Sequence, residues 1–408
     1  MFIIHLFFRF YQLEERNLFG WDQVDNAWVA KGILVDQQLP LLGIQAKGTS
    51  GIFIGPAYYY LVTVAYFFTN LDPIAAGFFA GASSVFAFFI FYFLTKKILS
   101  KEIALITIFI NTFSFFVIGH DRIQWPISLI PPLSLIIFFS LYRVITGRVQ
   151  YLLLLATAIG FSFNLHFTAV FYPLIVLLTL PFFPWNKKTI KYCFISLPLL
   201  LIWFLPNFIY NSSHQGESAK NLTNYLQIYY HGLHLRRMLQ LLPDAFIEFE
   251  QLLIGTVNNL SFIKPIKYFL LPISFIVYFF QKPSKTRLIF NYLAALWFLI
   301  PWLVFSTYSG EITNYYFSST RPIALIVLAY LTFQILQSKN FLFRLGMILF
   351  WLYFAFTNTQ EFFNHQYRSF STYRQYAINA VETSEPIEFE RGLPDAYLYY
   401  YYKEVKNY

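Results

Sequence analysis

Apolar runs long enough for membrane helices, set off by short clusters of lysine and arginine, recur along most of the 408-residue chain. No other pattern restricts a fold so severely. In hydrocarbon every backbone N–H and C=O must be satisfied internally, which leaves helices as the usual spanning elements. Composition agrees: 57% of residues are hydrophobic, only 12% are charged, and the mean hydropathy of +0.52 excludes a soluble domain. The chain is therefore expected to be an all-α polytopic membrane protein, multi-pass in a cell membrane. The formal charge of +9 does not point to nucleic acid, because the basic residues are scattered between apolar runs as in cytoplasmic loops. The single cysteine, Cys193, lies in an apolar stretch and supports neither a disulfide framework nor a thiolate metal site.

Five basic clusters set the expected topology: Lys96, Lys97 and Lys101; Arg143 and Arg148; Lys187, Lys188 and Lys191; Lys282, Lys285 and Arg287; Lys339 and Arg344. Cytoplasmic placement of all five gives about eleven spans, at 1–13, 74–95, 102–118, 126–143, 149–165, 167–183, 192–210, 266–281, 288–308, 322–337 and 345–358. The N-terminus is then cytoplasmic and the C-terminus outside. A further apolar segment, 51–68, would put every later cluster on the wrong side if it spanned. With its Gly55-Pro56-Ala57-Tyr58-Tyr59-Tyr60 start it reads as an interfacial helix. The first outer loop, 14–73, then holds two surface helices.

Residues 1–358 form the expected membrane domain, and 359–408 a small exposed tail with Glu382, Glu385, Glu388 and Glu390 in one acidic stretch. The tail's tyrosine run, Tyr399 to Tyr402, reads as an interface patch or a strand. The first span, at about 20 Å of rise against roughly 30 Å of hydrocarbon, is short, so the true first helix is expected to begin earlier. No small-residue cleavage site follows it, and a signal peptide is not expected.

Chemistry concentrates in the first outer loop, in Phe19-Gly20-Trp21-Asp22-Gln23-Val24-Asp25-Asn26-Ala27-Trp28. Carboxylates beside a bilayer are unfavourable unless hydrated, paired or used. On a helix, Asp22 and Asp25 share a face between tryptophans at headgroup level. Asp22 could also be a helix N-cap. His231 and His234 lack a nearby acid to complete a zinc site. Neither G-x-G-x-x-G nor a Walker motif occurs, and no internal repeat suggests a transporter built of two related halves.

The short first helix ending in Arg9-Phe10-Tyr11-Gln12-Leu13, followed by Phe19-Gly20-Trp21-Asp22-Gln23 and Gly55-Pro56 with its tyrosines, resembles the GT-C superfamily of membrane glycosyltransferases. It is most similar to the family 39-like type of protein-mannosyltransferases and aminoarabinose transferases. Ser114 to Pro126, Gly160 to His166, and Tyr315-Tyr316 with Pro322 extend the likeness over about the first 330 residues. The resemblance implies transfer of a sugar from a polyprenyl-phosphate sugar to an acceptor glycan, lipid or protein at the outer face, with inversion at the anomeric carbon.

By that resemblance Asp22 is the catalytic base. Gln23 departs from the family's frequent Glu, which leaves Asp25 as the nearby second acid, for acceptor contact or support. His166 is a further acceptor or support contact. Arg122, Lys47 and Arg321 are candidates for the donor phosphate, which needs cations as charge builds on the leaving group. No metal ligands are assigned; a divalent metal, used by some relatives beside first-loop acids, stays open. Two competing functions are an O-antigen-type lipid-glycan ligase or polymerase, for which the 211–264 loop with Arg236 and Arg237 is the only candidate key loop, and a secondary transporter.

Overall fold

The computed structural model describes residues 1–46, 50–257, 265, 267–280, 284–365, 370–383 and 393–406. In chain order the helices are α1 (Phe2–Phe10), α2 (Leu13–Arg16), α3 (Trp21–Leu34), α4 (Ala57–Phe68), α5 (Ala75–Ile98), α6 (Lys101–Phe113) and α7 (Phe115–Asp121). There follow α8 (Pro126–Ile145), α9 (Tyr151–Ser162), α10 (Phe167–Phe182), α11 (Lys187–Ser213), α12 (Glu217–Tyr229), α13 (Leu235–Ala245), α14 (Ile247–Leu252) and α15 (Ile254–Val257). The last are α16 (Lys267–Phe280), α17 (Lys285–Ser306), α18 (Asn314–Leu336), α19 (Phe341–Asn364), α20 (Phe370–Thr383) and α21 (Pro394–Tyr400).

Among the described residues, every stretch expected to span is largely helical. Among the described residues, six helices are long and apolar enough to cross a membrane alone, and the bent pair α6 and α7 makes a seventh. The others, including α1, α9 and α10, are shorter. Helices that are apolar all round belong at the centre of a bundle, and α8, buried over 83% of its apolar window, lies there. It is fixed to its neighbours through Ser134, whose hydroxyl donates to the Ser319 carbonyl at 2.6 Å and accepts from Trp297 Nε1 at 2.7 Å. The flank of α5 instead exposes Phe78, Phe86, Phe89 and Phe93, a surface suited to lipid tails.

The 73° break between α6 and α7 is stabilised by side chains. A bend frees backbone groups that must find new partners. Asn358 Oδ1 accepts from the Phe115 N–H at 2.8 Å, and the Ser114 hydroxyl donates to the Leu252 carbonyl at 2.8 Å. The bend brings Asp121 and Arg122 back to the end of α1. There Asp121 pairs with the buried Arg9 at 2.7 Å, and Arg9 also donates to the carbonyls of Thr112 and Asn111 at 2.8 and 2.9 Å. A charge in an apolar bundle persists when it is both paired and hydrogen-bonded.

The segment after 358 keeps an exposed side, with Tyr376 open to solvent, and docks by the other. Arg374 pairs with Glu14 at 2.5 Å and Asp72 at 2.9 Å, at the two ends of the 14–73 segment. Tyr397 donates to the Leu71 carbonyl and Tyr401 to Asp72, both at 3.0 Å. Tyrosine suits this task because it buries an apolar ring while its hydroxyl reaches a polar partner. The part of the acidic stretch at Glu385, Glu388 and Glu390 lies outside the described residues.

Candidate active site

Helix α3 carries the acidic pair, and its pattern explains its pose. Gln23, Val24, Asn26, Ala27 and Ala30 are buried, while Asp22 and Asp25 are exposed on the opposite side. The N-cap is Gly20, whose N–H donates to Gln23 Oε1 at 3.0 Å. Asp22 therefore stands in the first turn, where the helix dipole favours a carboxylate, and is not the cap. Gln23 Nε2 donates to the Gln124 carbonyl at 2.7 Å, fastening α3 to the turn after α7. Phe19 packs edge-on against Phe370, and the Trp28 ring rests on Tyr397 and Tyr400.

The second surface helix, α4, reaches the pair from the other side. Its start is held by Asn164, whose Oδ1 accepts from the Ala57 N–H at 3.3 Å. The approach is so close that a Cβ at Gly55 would strike the Asn164 side chain. From this fixed start Tyr59 donates to Asp25 Oδ2 at 2.7 Å. Burial, and then the Asp25 charge, push the Tyr59 phenol well above its ordinary range, so it remains a donor. Asp22 is solvent-exposed yet hemmed by protein; this desolvation, with the charge of Asp25, raises its pKa.

Next to Gln124, to which α3 is fastened, a row of rings begins: His120 against Trp125 at 5.2 Å between centroids, Trp125 against Tyr315 at 5.3 Å, and His166 against Tyr316 at 5.2 Å. His166 caps the first turn of α10, its Nδ1 accepting from the Thr168 N–H at 3.2 Å. That bond leaves the proton of the neutral ring on Nε2. Burial lowers its pKa to about 4, so the ring is neutral near pH 7.

The phosphate candidates are placed differently from one another. Arg122 is buried, and its guanidinium donates to the carbonyls of Phe8, Arg9, Tyr11 and Gln12 at 2.9, 3.1, 2.9 and 3.3 Å. It thereby satisfies the carbonyls left open at the end of α1. Arg321 forms a buried, two-pronged pair with Glu248 at 2.7 and 3.2 Å. Lys47 lies outside the described residues. The structure thus brings Asp22 and Asp25 together on one open face and sets Arg122 and Arg321 inside the bundle.

Two residues of this region were not singled out from sequence. Tyr59 could have been, from its place in the three-tyrosine helix start. Glu248 is 73 residues from its partner, and no local pattern marks it. Among the described residues, no group of three or more His, Cys, Asp or Glu side chains is arranged to hold a metal ion. The Asp22–Asp25 pair alone supplies fewer ligands than a dedicated cation cage uses.

No protein-family model and no curated protein matches the sequence. Solved structures do match. ArnT from Cupriavidus metallidurans, bound to undecaprenyl phosphate, superposes with a TM-score of 0.68 at 12% identity, over 98% of this chain and 84% of that one. Its apo structure gives 0.64 at the same identity, over 98% and 83%. The archaeal oligosaccharyltransferase AglB from Archaeoglobus fulgidus, in complex with an inhibitory peptide and a dolichol-phosphate, gives 0.58 at 11% identity, over 94% of this chain and 57% of that one. The chain has the fold shared by these GT-C membrane glycosyltransferases.

Proposed function

We propose that this GT-C-fold protein is an inverting glycosyltransferase that moves one sugar from a polyprenyl-phosphate sugar to an acceptor hydroxyl or amine at the outer membrane face. The observation that carries the reading is the acidic pair on the open side of α3: Asp22 exposed, with a raised pKa, and Asp25 fixed beside it by Tyr59. The solved ArnT structure with undecaprenyl phosphate supports the class of donor.

In this reading Asp22 removes the proton from the acceptor. The acceptor atom then forms its bond to the anomeric carbon from the face opposite the phosphate, and the C–O bond electrons leave with the polyprenyl phosphate. A carboxylate of raised pKa suits that task because proton affinity, at a pH where the group is still ionised, is what a general base supplies. Asp25 supports Asp22 electrostatically. The neutral His166, with Nε2–H as donor, stands by as an acceptor contact. Of the three expected phosphate cations, Lys47 keeps that role; Arg122 and Arg321 are engaged within the bundle.

The test is direct. Purified protein in lipid nanodiscs is supplied, in parallel, with undecaprenyl-phosphate sugars or undecaprenyl-diphosphate glycans and an envelope lipid extract as acceptor, and released undecaprenyl phosphate or diphosphate is measured. Release by wild type and its loss in Asp22→Asn are expected. Release that persists in a folded Asp22→Asn protein would remove Asp22 as base, and cleavage confined to diphosphate-linked glycans would replace the reading by a ligase.

A further inference from the structure

Besides Arg321 and Arg122, a further cationic group of His231, His234, Arg236 and Arg237 gathers around the start of α13. The strand-like segment after α12 and the end of α17 are zipped together: the His231 N–H donates to the Thr307 carbonyl at 3.2 Å and the Ser309 N–H to the Tyr229 carbonyl at 2.8 Å. Trp302 Nε1 donates to the Met238 carbonyl at 2.9 Å and holds α13 against α17. Between these walls lies a cavity of about 360 Å³, lined by His231, His234, Arg236 and Arg237, with Tyr308 and Ser309 opposite; none of its lining residues is acidic.

We propose that this cavity binds a phosphate-bearing group. Two arginines line it, and guanidinium forks match phosphate oxygens in geometry as well as in charge. Arg237 is positioned by a bond from Nη2 to the Gly310 carbonyl at 3.1 Å, while Arg236, His231 and His234 are open to solvent. Arg236 and Arg237 also stand in the first turn of α13, next to the helix's open N–H groups, and the N-cap His234 makes no side-chain capping bond. Cations at that end oppose the helix dipole, so the arrangement disfavours the empty site and favours an anion.

The wall of the cavity is tied to the segment between α3 and α4. Tyr308, in its wall, shares a hydroxyl–hydroxyl bond of 2.7 Å with Tyr225, and Asn221, one turn before Tyr225 on α12, donates to the Gly51 carbonyl of the first outer loop at 3.2 Å. The phosphate has two sources in a membrane: a polyprenyl phosphate, which would make the cavity the anchor of the proposed donor and so rests on the glycosyltransferase reading, or an anionic phospholipid headgroup, which would make it a docking point on the bilayer surface.

The experiment measures binding without turnover. Wild type, Arg236→Gln, Arg236→Lys, the Arg236→Gln/Arg237→Gln double variant and Asp22→Asn are placed in phosphatidylcholine nanodiscs and titrated with farnesyl phosphate, then compared in nanodiscs containing phosphatidylglycerol by the enrichment of that lipid around the protein. Arg236→Gln is expected to weaken binding roughly 10-fold, with Arg236→Lys between it and wild type. Weakened farnesyl phosphate binding assigns the polyprenyl source; unchanged farnesyl phosphate binding with lost phosphatidylglycerol enrichment assigns the headgroup. If folded Arg236→Gln matches wild type in both assays, the site is overturned, whether or not the double variant folds. Asp22→Asn should bind as wild type does. Binding that depends on Arg236 in a protein that transfers no sugar would keep the site and reject the glycosyltransferase reading.

Discussion

The Tyr59 hydroxyl donates to Asp25 at 2.7 Å, so a residue of α4 fixes a carboxylate of α3 next to the proposed base. The charge of Asp25 is one of the two causes that raise the Asp22 pKa, burial being the larger. As general base Asp22 works only when ionised, and activity falls as pH drops through its pKa. Asp25→Asn removes the like charge, which lowers the Asp22 pKa while leaving it above the usual range through burial. The acid limb of the kcat/KM profile should therefore move to lower pH. Tyr59→Phe should leave the limb near its wild-type position and lower kcat roughly 10- to 100-fold, the loss expected from one hydrogen bond to a charged group. A limb that stays fixed in Asp25→Asn would separate the two acids.

Asp22→Asn should lower turnover about 100- to 10,000-fold, the range for loss of a general base. Stability should move the other way. A carboxyl whose folded pKa is raised stabilises the fold at low pH and gives up that contribution as pH rises through the folded pKa. Near pH 7 the ionised Asp22 thus opposes folding, and the amide should leave Tm unchanged or raise it. A clear fall in Tm would assign Asp22 a structural part instead.

Arg122→Ala should act on folding before it acts on binding. Four carbonyls at the end of α1 lose their donor, and each buried group left unsatisfied costs about 1–3 kcal/mol. Reduced yield of folded protein and a lower Tm are expected, measured in detergent by thermal unfolding, with donor affinity per folded molecule little changed. Arg122→Lys should recover only part of the loss, because one ammonium cannot reproduce the planar fork. A stable Arg122→Ala protein that has lost farnesyl phosphate binding would restore the phosphate role.

Orientation is tested by cysteine labelling in a Cys193→Ser background, since Cys193 is the chain's only cysteine. Cysteines at Gln38 and Glu311 should react with an impermeant maleimide from outside, and one at Lys188 only after permeabilisation. Labelling of Gln38 and Lys188 from the same side would displace the proposed site from the outer face.

The helices were legible in the sequence because an apolar run is a local signal, and α3 was legible because Asp22, Asp25, Trp21 and Trp28 lie within eight residues. What sequence could not supply is the identity of partners distant along the chain. An arginine that binds phosphate and one that caps carbonyls look alike; Arg122 differs only through residues more than 100 positions earlier. Gln23 looked like a missing acid, and it is a two-sided fastener, accepting from Gly20 and donating to Gln124. A Glu at that position could serve the first bond but, when ionised, not the second. The tail's tyrosines suggested an interface patch or a strand; they lie on helix, not strand, and only the fold shows that the surface they meet is at Leu71 and Asp72, just before α5.

That last contact bears on the order in which the molecule is made. The acidic helix leaves the ribosome well before Tyr397, against which Phe19 and Trp28 of its neighbourhood pack and which follows more than 360 residues later. At the pace of protein synthesis, roughly 5–20 residues per second, tens of seconds separate the two. During that interval the spans can insert in succession while the proposed base still lacks its backing, so a nascent chain already in the membrane is expected to stay idle until Tyr397 arrives.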